Sequence, residues 1–211
     1  MSQKYELTYL PAKGKANLIR LMLADQGIPY KYTEYDRANW PAAKPNYPFK
    51  QLPVLTVDGS IQIAQSHSIA RYLAREHGLM GSNSIEQAQV DMWLDQTLDL
   101  RNRLLNVVHI DFEKLLQPFL NSLPDMLEIF ETRLAAQPAS AKHLALGKLT
   151  IADYALFDVL YYLQLLRPES LDNTPVLKAF YTEFAARPKL QAYMETDEFK
   201  RLRATGSPHL Q

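Results

Sequence analysis

Between Phe49 and Ser66 the chain reads Phe-Lys-Gln-Leu-Pro-Val-Leu-Thr-Val-Asp-Gly-Ser-Ile-Gln-Ile-Ala-Gln-Ser, two short apolar runs around Asp58-Gly59. An Asp-Gly pair flanked by alternating Val54, Thr56 and Ile61, Ile63 predicts a β-hairpin. Pro53 stands at its start, where a strand tolerates proline because no ladder N–H is needed there. With a cis Leu52-Pro53 bond, the Leu52 N–H and C=O would turn outward, and an extended peptide would add there as a strand. Ser66 opens a helical pattern, so its hydroxyl, Gln65 and the first N–H groups of that helix would meet an anion at the positive helix end. The stretch therefore reads as a seat for a small anionic peptide.

The segments around the hairpin define the fold class. Lys4 to Leu10 alternates as a first strand, and Pro11, Lys13 and Gly14 break the pattern. Lys15 to Gln26 has apolar residues at helical spacing and stops at Gly27, and Tyr30 to Tyr35 reads as a second strand. Strand, helix and strand within about 30 residues make a βαβ unit with a parallel pair. Asp36 to Pro48, with Trp40, Pro41, Pro45 and Pro48, reads as irregular, and Ser66 to His77 as a helix closed by Gly78. After Gly81-Ser82-Asn83-Ser84 strand signals disappear. Helices are expected from Ile85 to about Val108, from Leu115 to Leu134 with a break or bend near Pro118 and Pro124, from Ile151 to Leu166, from Pro175 to Ala186 and from Leu190 to Thr196, with an irregular tail from Lys200. The expected architecture is an α/β domain over 1–80, a linker at 81–84 and an all-α domain over 85–211. The helix from Ile151 is apolar on nearly all sides, which places it centrally. Thr150 and Asp153 at its start have capping-box spacing, with aspartate in place of glutamate, and are assigned a folding role.

Charge and composition narrow the chemistry. Lysine plus arginine and aspartate plus glutamate both total 23, so no global field draws the chain to nucleic acid or an anionic membrane. No run approaches 18 apolar residues and no signal-peptide pattern follows Met1, so a cytoplasmic location is expected. Without cysteine there is no disulfide, thiolate metal site or protein-borne thiol, and any thiol chemistry must arrive with the substrate. The five histidines lack metal-ligand spacing, and no phosphate-loop, dinucleotide or nucleophile-elbow pattern occurs. Asp91, Asp95 and Asp99 form an i, i+4, i+8 stripe, read either as a solvated face relieved by Arg103 or as a receptor for an ammonium group. Tyr9 ends a strand just before a helix, where α/β folds place their sites. Taken singly, Lys13, Lys15 and Lys44 read as solvated and Trp40 as a packing anchor.

In order, Tyr9-Leu-Pro-Ala-Lys-Gly-Lys15, Trp40-Pro-Ala-Ala-Lys44, Gln51-Leu-Pro53, Gln65-Ser66 and Thr150-Ile-Ala-Asp153 resemble the cytosolic glutathione transferases of the tyrosine type. Asp91–Arg101 and Ala186–Tyr193 are similar to the pi class, and the Trp40/Lys44 spacing and Ile69–Arg75 to the sigma class. The resemblance implies a thioredoxin-like N-terminal domain with a cis proline, an all-α C-terminal domain and a homodimer. It implies that glutathione is a co-substrate and that no cofactor or metal is used. By position, Tyr9 would hydrogen-bond the glutathione sulfur, with Lys15 nearby where the family usually has arginine. Gln51, Leu52 and Pro53 would hold the cysteinyl backbone, and Gln65 and Ser66 the γ-glutamyl carboxylate. Trp40 and Lys44 would bind the glycyl carboxylate, and Asp99 of the second subunit the γ-glutamyl ammonium. Phe49 would be an aromatic key between subunits. Leu10, Ala12, Leu105, His109 and Gly206 would line a pocket for a hydrophobic electrophile; Leu10 replaces a common phenylalanine and His109 a tyrosine. The resemblance implies conjugation of glutathione to such electrophiles. Its sigma-like portions imply isomerisation of a lipid endoperoxide as an alternative, and a non-catalytic ligand carrier or structural relative is a third.

Overall fold

A computed structural model describes residues 4–138 and 142–210. In chain order its elements are β1 (Tyr5–Tyr9), α1 (Asn17–Gln26), β2 (Lys31–Glu34), α2 (Trp40–Ala43), β3 (Val54–Val57), β4 (Ile61–Ala64), α3 (Ser66–Glu76), α4 (Ser84–His109), α5 (Phe112–Ala135), α6 (Ile151–Leu166), α7 (Pro175–Ala185), α8 (Pro188–Met194) and α9 (Asp197–Arg201). Short 3-10 turns occupy Gly14–Ala16, Lys44–Asn46, Pro48–Lys50 and Pro168–Leu171. The described chain falls into two compact units. One runs through Leu73 and takes in Arg187–Gly206, and the other comprises Ala74–Ala186 and the residues from Ser207.

The first unit is built on a mixed sheet in the order β2-β1-β3-β4. β1 and β2 are parallel, as a βαβ crossover requires, and β3 runs antiparallel to both β1 and β4. Asp58 and Gly59 have φ of 49° and 70°, and the Ser60 N–H donates to the Val57 carbonyl at 3.1 Å, so the hairpin turns through two left-handed residues as its Asp-Gly pair predicts. The Leu52–Pro53 bond is cis. Leu7, Val54, Leu55, Ile19, Leu23, Ile69 and Leu73 are fully buried and form the core of this unit. α8 packs on α1 and is tied to it by Arg187, whose Nη2 lies 2.7 Å from Asp25 Oδ2. Three local expectations are corrected. Trp40–Ala43 is a helical turn, because Pro41 falls within its first turn, where a missing N–H costs nothing. α5 runs through Pro118 and Pro124 as one helix, so there is no break at either. Asp197–Arg201 extends helix into the expected irregular tail, capped by the Thr196 hydroxyl, which accepts the Phe199 N–H at 3.2 Å.

Among the described residues of the second unit, the regular elements are all helices. Asn83, expected to be part of a linker, caps α4: its Oδ1 accepts the Ile85 and Glu86 N–H groups, both at 3.0 Å. α6 is buried over nearly its whole length and packs on α4. Between these helices lies a buried ion pair, with Arg101 Nε 3.1 Å from Asp158 Oδ2. The capping box is present. Asp153 Oδ2 accepts the Thr150 N–H at 2.7 Å and hydroxyl at 3.1 Å, while Oδ1 accepts the Leu144 N–H at 2.9 Å. Asp153 is fully buried, so an alanine there would strand two buried N–H donors at about 1–3 kcal/mol each. Asp153→Ala is therefore expected to lower the unfolding free energy by roughly 2–6 kcal/mol, seen as a lower urea midpoint; a loss under about 1 kcal/mol would refute this account of the cap.

Candidate functional site

The sheet register gathers residues that are far apart in sequence. Thr8 opposes Val54 and Val54 opposes Ala64, while Tyr9 stands beside Glu34. One step further along the antiparallel ladders, Tyr9, Pro53 and Gln65 lie in one row at a single end of the sheet. Gln51 and Leu52 lead into that row, and Ser66 begins α3 immediately after it. The Gln65 φ of 69° makes the sharp bend from β4 into α3, and its carbonyl accepts the Ile69 N–H at 2.9 Å. Gln65 is exposed and Ser66 half-buried, so both face accessible space at the helix start.

Tyr9 itself is buried, and its hydroxyl accepts the backbone N–H of Lys15 at 3.0 Å. That N–H belongs to the helical run that begins with the 3-10 turn at Gly14 and continues into α1, so the phenol oxygen sits at a positive helix start. Accepting this bond polarises the O–H and makes it a stronger donor. The geometry depends on Gly14, which has a φ of +43°; a Cβ there would stand 2.6 Å from the Tyr9 hydroxyl oxygen.

Two buried cations hold this turn. The Arg20 guanidinium donates to the carbonyls of Ala12 and, at 3.0 Å, of Lys13. Lys13, expected in solvent, is 4% exposed, and its ammonium donates to the carbonyls of Phe199 at 2.7 Å and Leu202 at 2.5 Å. It also lies 4.2 Å from the centre of the Phe199 ring. Burial first, and the neighbouring Arg20 charge second, lower Lys13 to about 8. The turn's backbone is bonded to the same segment: the Lys13 N–H donates to Arg203 at 2.8 Å and the Gly14 N–H to Ala204 at 2.9 Å.

Trp40 and Lys44 lie one helical turn apart, with the Lys44 N–H donating to the Trp40 carbonyl. Trp40 is half-buried and Lys44 exposed. Of the residues expected to line an electrophile pocket, Leu10, Ala12 and Gly206 belong to the first unit, and Leu105 and His109 to the second. Burial, then the Arg101 charge, lowers the His109 pKa below its ordinary value, so the imidazole is neutral at pH 7. Asp99 is exposed on α4, and Phe49 is 71% exposed on a backbone with φ of 54°. No group of three His, Cys, Asp or Glu among the described residues is placed to hold a metal. No described helix is long and apolar enough to cross a membrane.

Two family profiles match the chain: "Glutathione S-transferase, N-terminal domain" over residues 5–75 and "Glutathione S-transferase, C-terminal domain" over 98–197. Glutathione S-transferase P 1 of Xenopus laevis is 38% identical over 197 residues, 92% of each chain. The chain belongs to the glutathione S-transferase family. Among solved structures, the pi-class glutathione S-transferase of Onchocerca volvulus superposes with a TM-score of 0.89 at 35% identity, covering 97% of this chain and 98% of that one. Prostaglandin synthase D of Nilaparvata lugens gives 0.81 at 30% identity, covering 92% and 98%.

Sequence reasoning singled out Tyr9 in this transferase but not the residues that hold it. Gly14 was visible as a turn former within the Tyr9–Lys15 motif. Lys13 and Arg20 left no local signal, because the carbonyls that Lys13 meets lie 186 and 189 residues downstream. Gly14→Ala is expected to lower kcat for conjugation at least tenfold by displacing the Tyr9 ring. Gly59→Ala is the matched control: its φ is +70° but a Cβ there meets nothing within 4 Å. Steady-state kinetics of the two proteins decide the point, and a Gly14→Ala protein as active as Gly59→Ala would show that contact of a Cβ with Tyr9 does not limit catalysis.

Proposed function

We propose that this transferase activates the thiol of glutathione as a thiolate at Tyr9 and conjugates it to hydrophobic electrophiles. The observation that carries this reading is the Tyr9 hydroxyl, held at a helix start by the Lys15 N–H and placed in one row with Pro53 and Gln65. A free thiol has a pKa of about 8.5, so only a few per cent is thiolate at pH 7. A hydrogen bond to a charged group contributes roughly 1.5–3 kcal/mol, enough to lower that pKa by about 1–2 units. Tyrosine, ordinarily near 10, remains a donor throughout the working range.

The tripeptide is assigned along the row, with its cysteinyl backbone at Gln51, Leu52 and Pro53, its γ-glutamyl carboxylate at Gln65 and Ser66, and its glycyl carboxylate at Trp40 and Lys44. Lys15 adds positive charge beside the sulfur, while Leu10, Ala12, Leu105, His109 and Gly206 receive the electrophile. Asp99 of a second subunit completes the site at the γ-glutamyl ammonium. The exposed Phe49 supports a homodimer: this large aromatic is held outward on a left-handed backbone, a strain of about 1–3 kcal/mol. This reading includes a cytosolic location, residues 1–80 as the glutathione domain, against which Arg187–Gly206 returns, 81–84 as the linker, and the remainder of 85–211 as the electrophile and dimer domain.

Tyr9→Phe should still be retained on immobilised glutathione while kcat/KM for a chloroaromatic acceptor falls at least tenfold. The apparent pKa in the pH dependence of kcat/KM should rise by about 1–2 units towards that of free glutathione. Unchanged kcat/KM would remove Tyr9 from the role.

A further inference from the structure

Residues 36–50 carry Trp40 and Lys44 but pair with no strand, and their helical pieces are single turns that begin at or next to Pro41, Pro45 and Pro48. Such turns do not hold a shape alone, because a turn fixes several dihedrals for one hydrogen bond. Three rings supply the missing constraint. Tyr35 and Trp40 lie 5.8 Å apart at 55°, Trp40 and Tyr47 5.5 Å at 44°, and Tyr35 and Tyr47 6.0 Å at 78°, a closed triangle of tilted and edge-on contacts. The Tyr47 hydroxyl donates to that of Tyr35 at 3.3 Å, closing the triangle with a polar bond.

The triangle is anchored at both ends. The Tyr35 N–H donates to the Tyr9 carbonyl at 3.0 Å, tying one corner to the strand that carries the catalytic phenol. The Tyr47 N–H donates to the Lys44 carbonyl at 3.3 Å, and the Lys44 N–H to that of Trp40, so the other two corners bracket Lys44. Neither Tyr35 nor Tyr47 stands among the residues assigned to glutathione. We propose that Tyr47, acting with Tyr35, is a positioning residue that fixes Trp40 and Lys44 as one unit and so sets affinity for the C-terminal carboxylate of the tripeptide. Burial first, then the bond to Tyr35, push the Tyr47 phenol up to about 12, so it stays a donor at any assay pH.

The inference rests on the assignment of the glycyl carboxylate to Trp40 and Lys44, and the experiment separates the two. Glutathione and γ-glutamylcysteine, which lacks the glycine, are compared as substrates of the full-length wild type, Tyr47→Ala and Tyr47→Phe. The wild type should have a KM at least tenfold lower for the tripeptide. Tyr47→Ala should raise the KM for glutathione five- to tenfold, leave that for the dipeptide within twofold, and leave kcat at saturation within twofold. Tyr47→Phe keeps the ring triangle and loses only the hydroxyl, so its preference should fall two- to threefold; it tests the same point if the alanine variant does not fold. A wild type that prefers the tripeptide beside variants that prefer it as strongly would overturn the role of Tyr47 alone. So would equal KM increases for both peptides, which would mark general loosening. A wild type indifferent to the glycine would overturn the assignment of Trp40 and Lys44, and the role of Tyr47 with it.

Discussion

The hydrogen bond from the Lys15 N–H to the Tyr9 hydroxyl constrains the first unit more than its size suggests. For it to form, the chain must leave β1, reverse within five residues and start a helix whose first N–H groups point back at the side chain it has just passed. Gly14 supplies the left-handed residue, and the absent Cβ supplies the room. The turn has no ladder of its own, so its carbonyls are held by Arg20 from below and its N–H groups by the carbonyls of Arg203 and Ala204. Lys13 then binds the same segment through its ammonium. Burying two cations side by side is costly, and main-chain carbonyl dipoles offset part of that cost. The lowered pKa of Lys13 records the part that is not offset. Between about 8 and its ordinary value near 10.5, the folded chain has released this proton while the unfolded chain retains it, so the Lys13 contribution to stability rises with pH across that window.

Sheet register does the rest of the positioning. Because β3 is antiparallel to both of its neighbours, the start of β3, the end of β1 and the end of β4 fall at one edge, and residues 9, 53 and 65 become a row. A one-residue slip in either ladder would turn every side chain of that strand to the other face. The full burial of Val54 and Leu55 beside Leu7 opposes such a slip. Packing thus sets the spacing on which the chemistry relies.

What could be read in the sequence was what local chemistry specifies. The Asp58-Gly59 hairpin, the βαβ unit, the buried α6 and its Thr150/Asp153 cap all follow from turn residues, periodicity or capping within a few positions. The prolines misled in two settings. Pro41, Pro45 and Pro48 read as breakers although each sits early in a helical turn, and Pro118 and Pro124 suggested a break in a helix that begins at Phe112 and runs through both. Contacts that span the chain had no local signature. The Arg101–Asp158 pair, 57 residues apart, gave no sign beside an aspartate stripe that drew attention to Arg103. Lys13 looked like any surface lysine because its acceptors are backbone carbonyls, and a sequence pattern does not mark those. The ring triangle of Tyr35, Trp40 and Tyr47 was likewise hidden, since its members share no period.

Residue 15 is lysine where the glutathione transferases that this chain resembles usually have arginine. An arginine there would offer a planar fork of donors that lysine lacks. Yet the contact Lys15 makes with the Tyr9 hydroxyl uses its backbone N–H, and its side chain is exposed. Any residue except proline supplies that donor, so exchanging guanidinium for ammonium leaves the bond that polarises Tyr9 intact. What the exchange alters is the electrostatic field around the Tyr9 hydroxyl, set by a charge in exposed surroundings and therefore screened. The more demanding requirement falls on the neighbour: a Cβ at residue 14 would strike the phenol, whereas at residue 15 the backbone alone meets it.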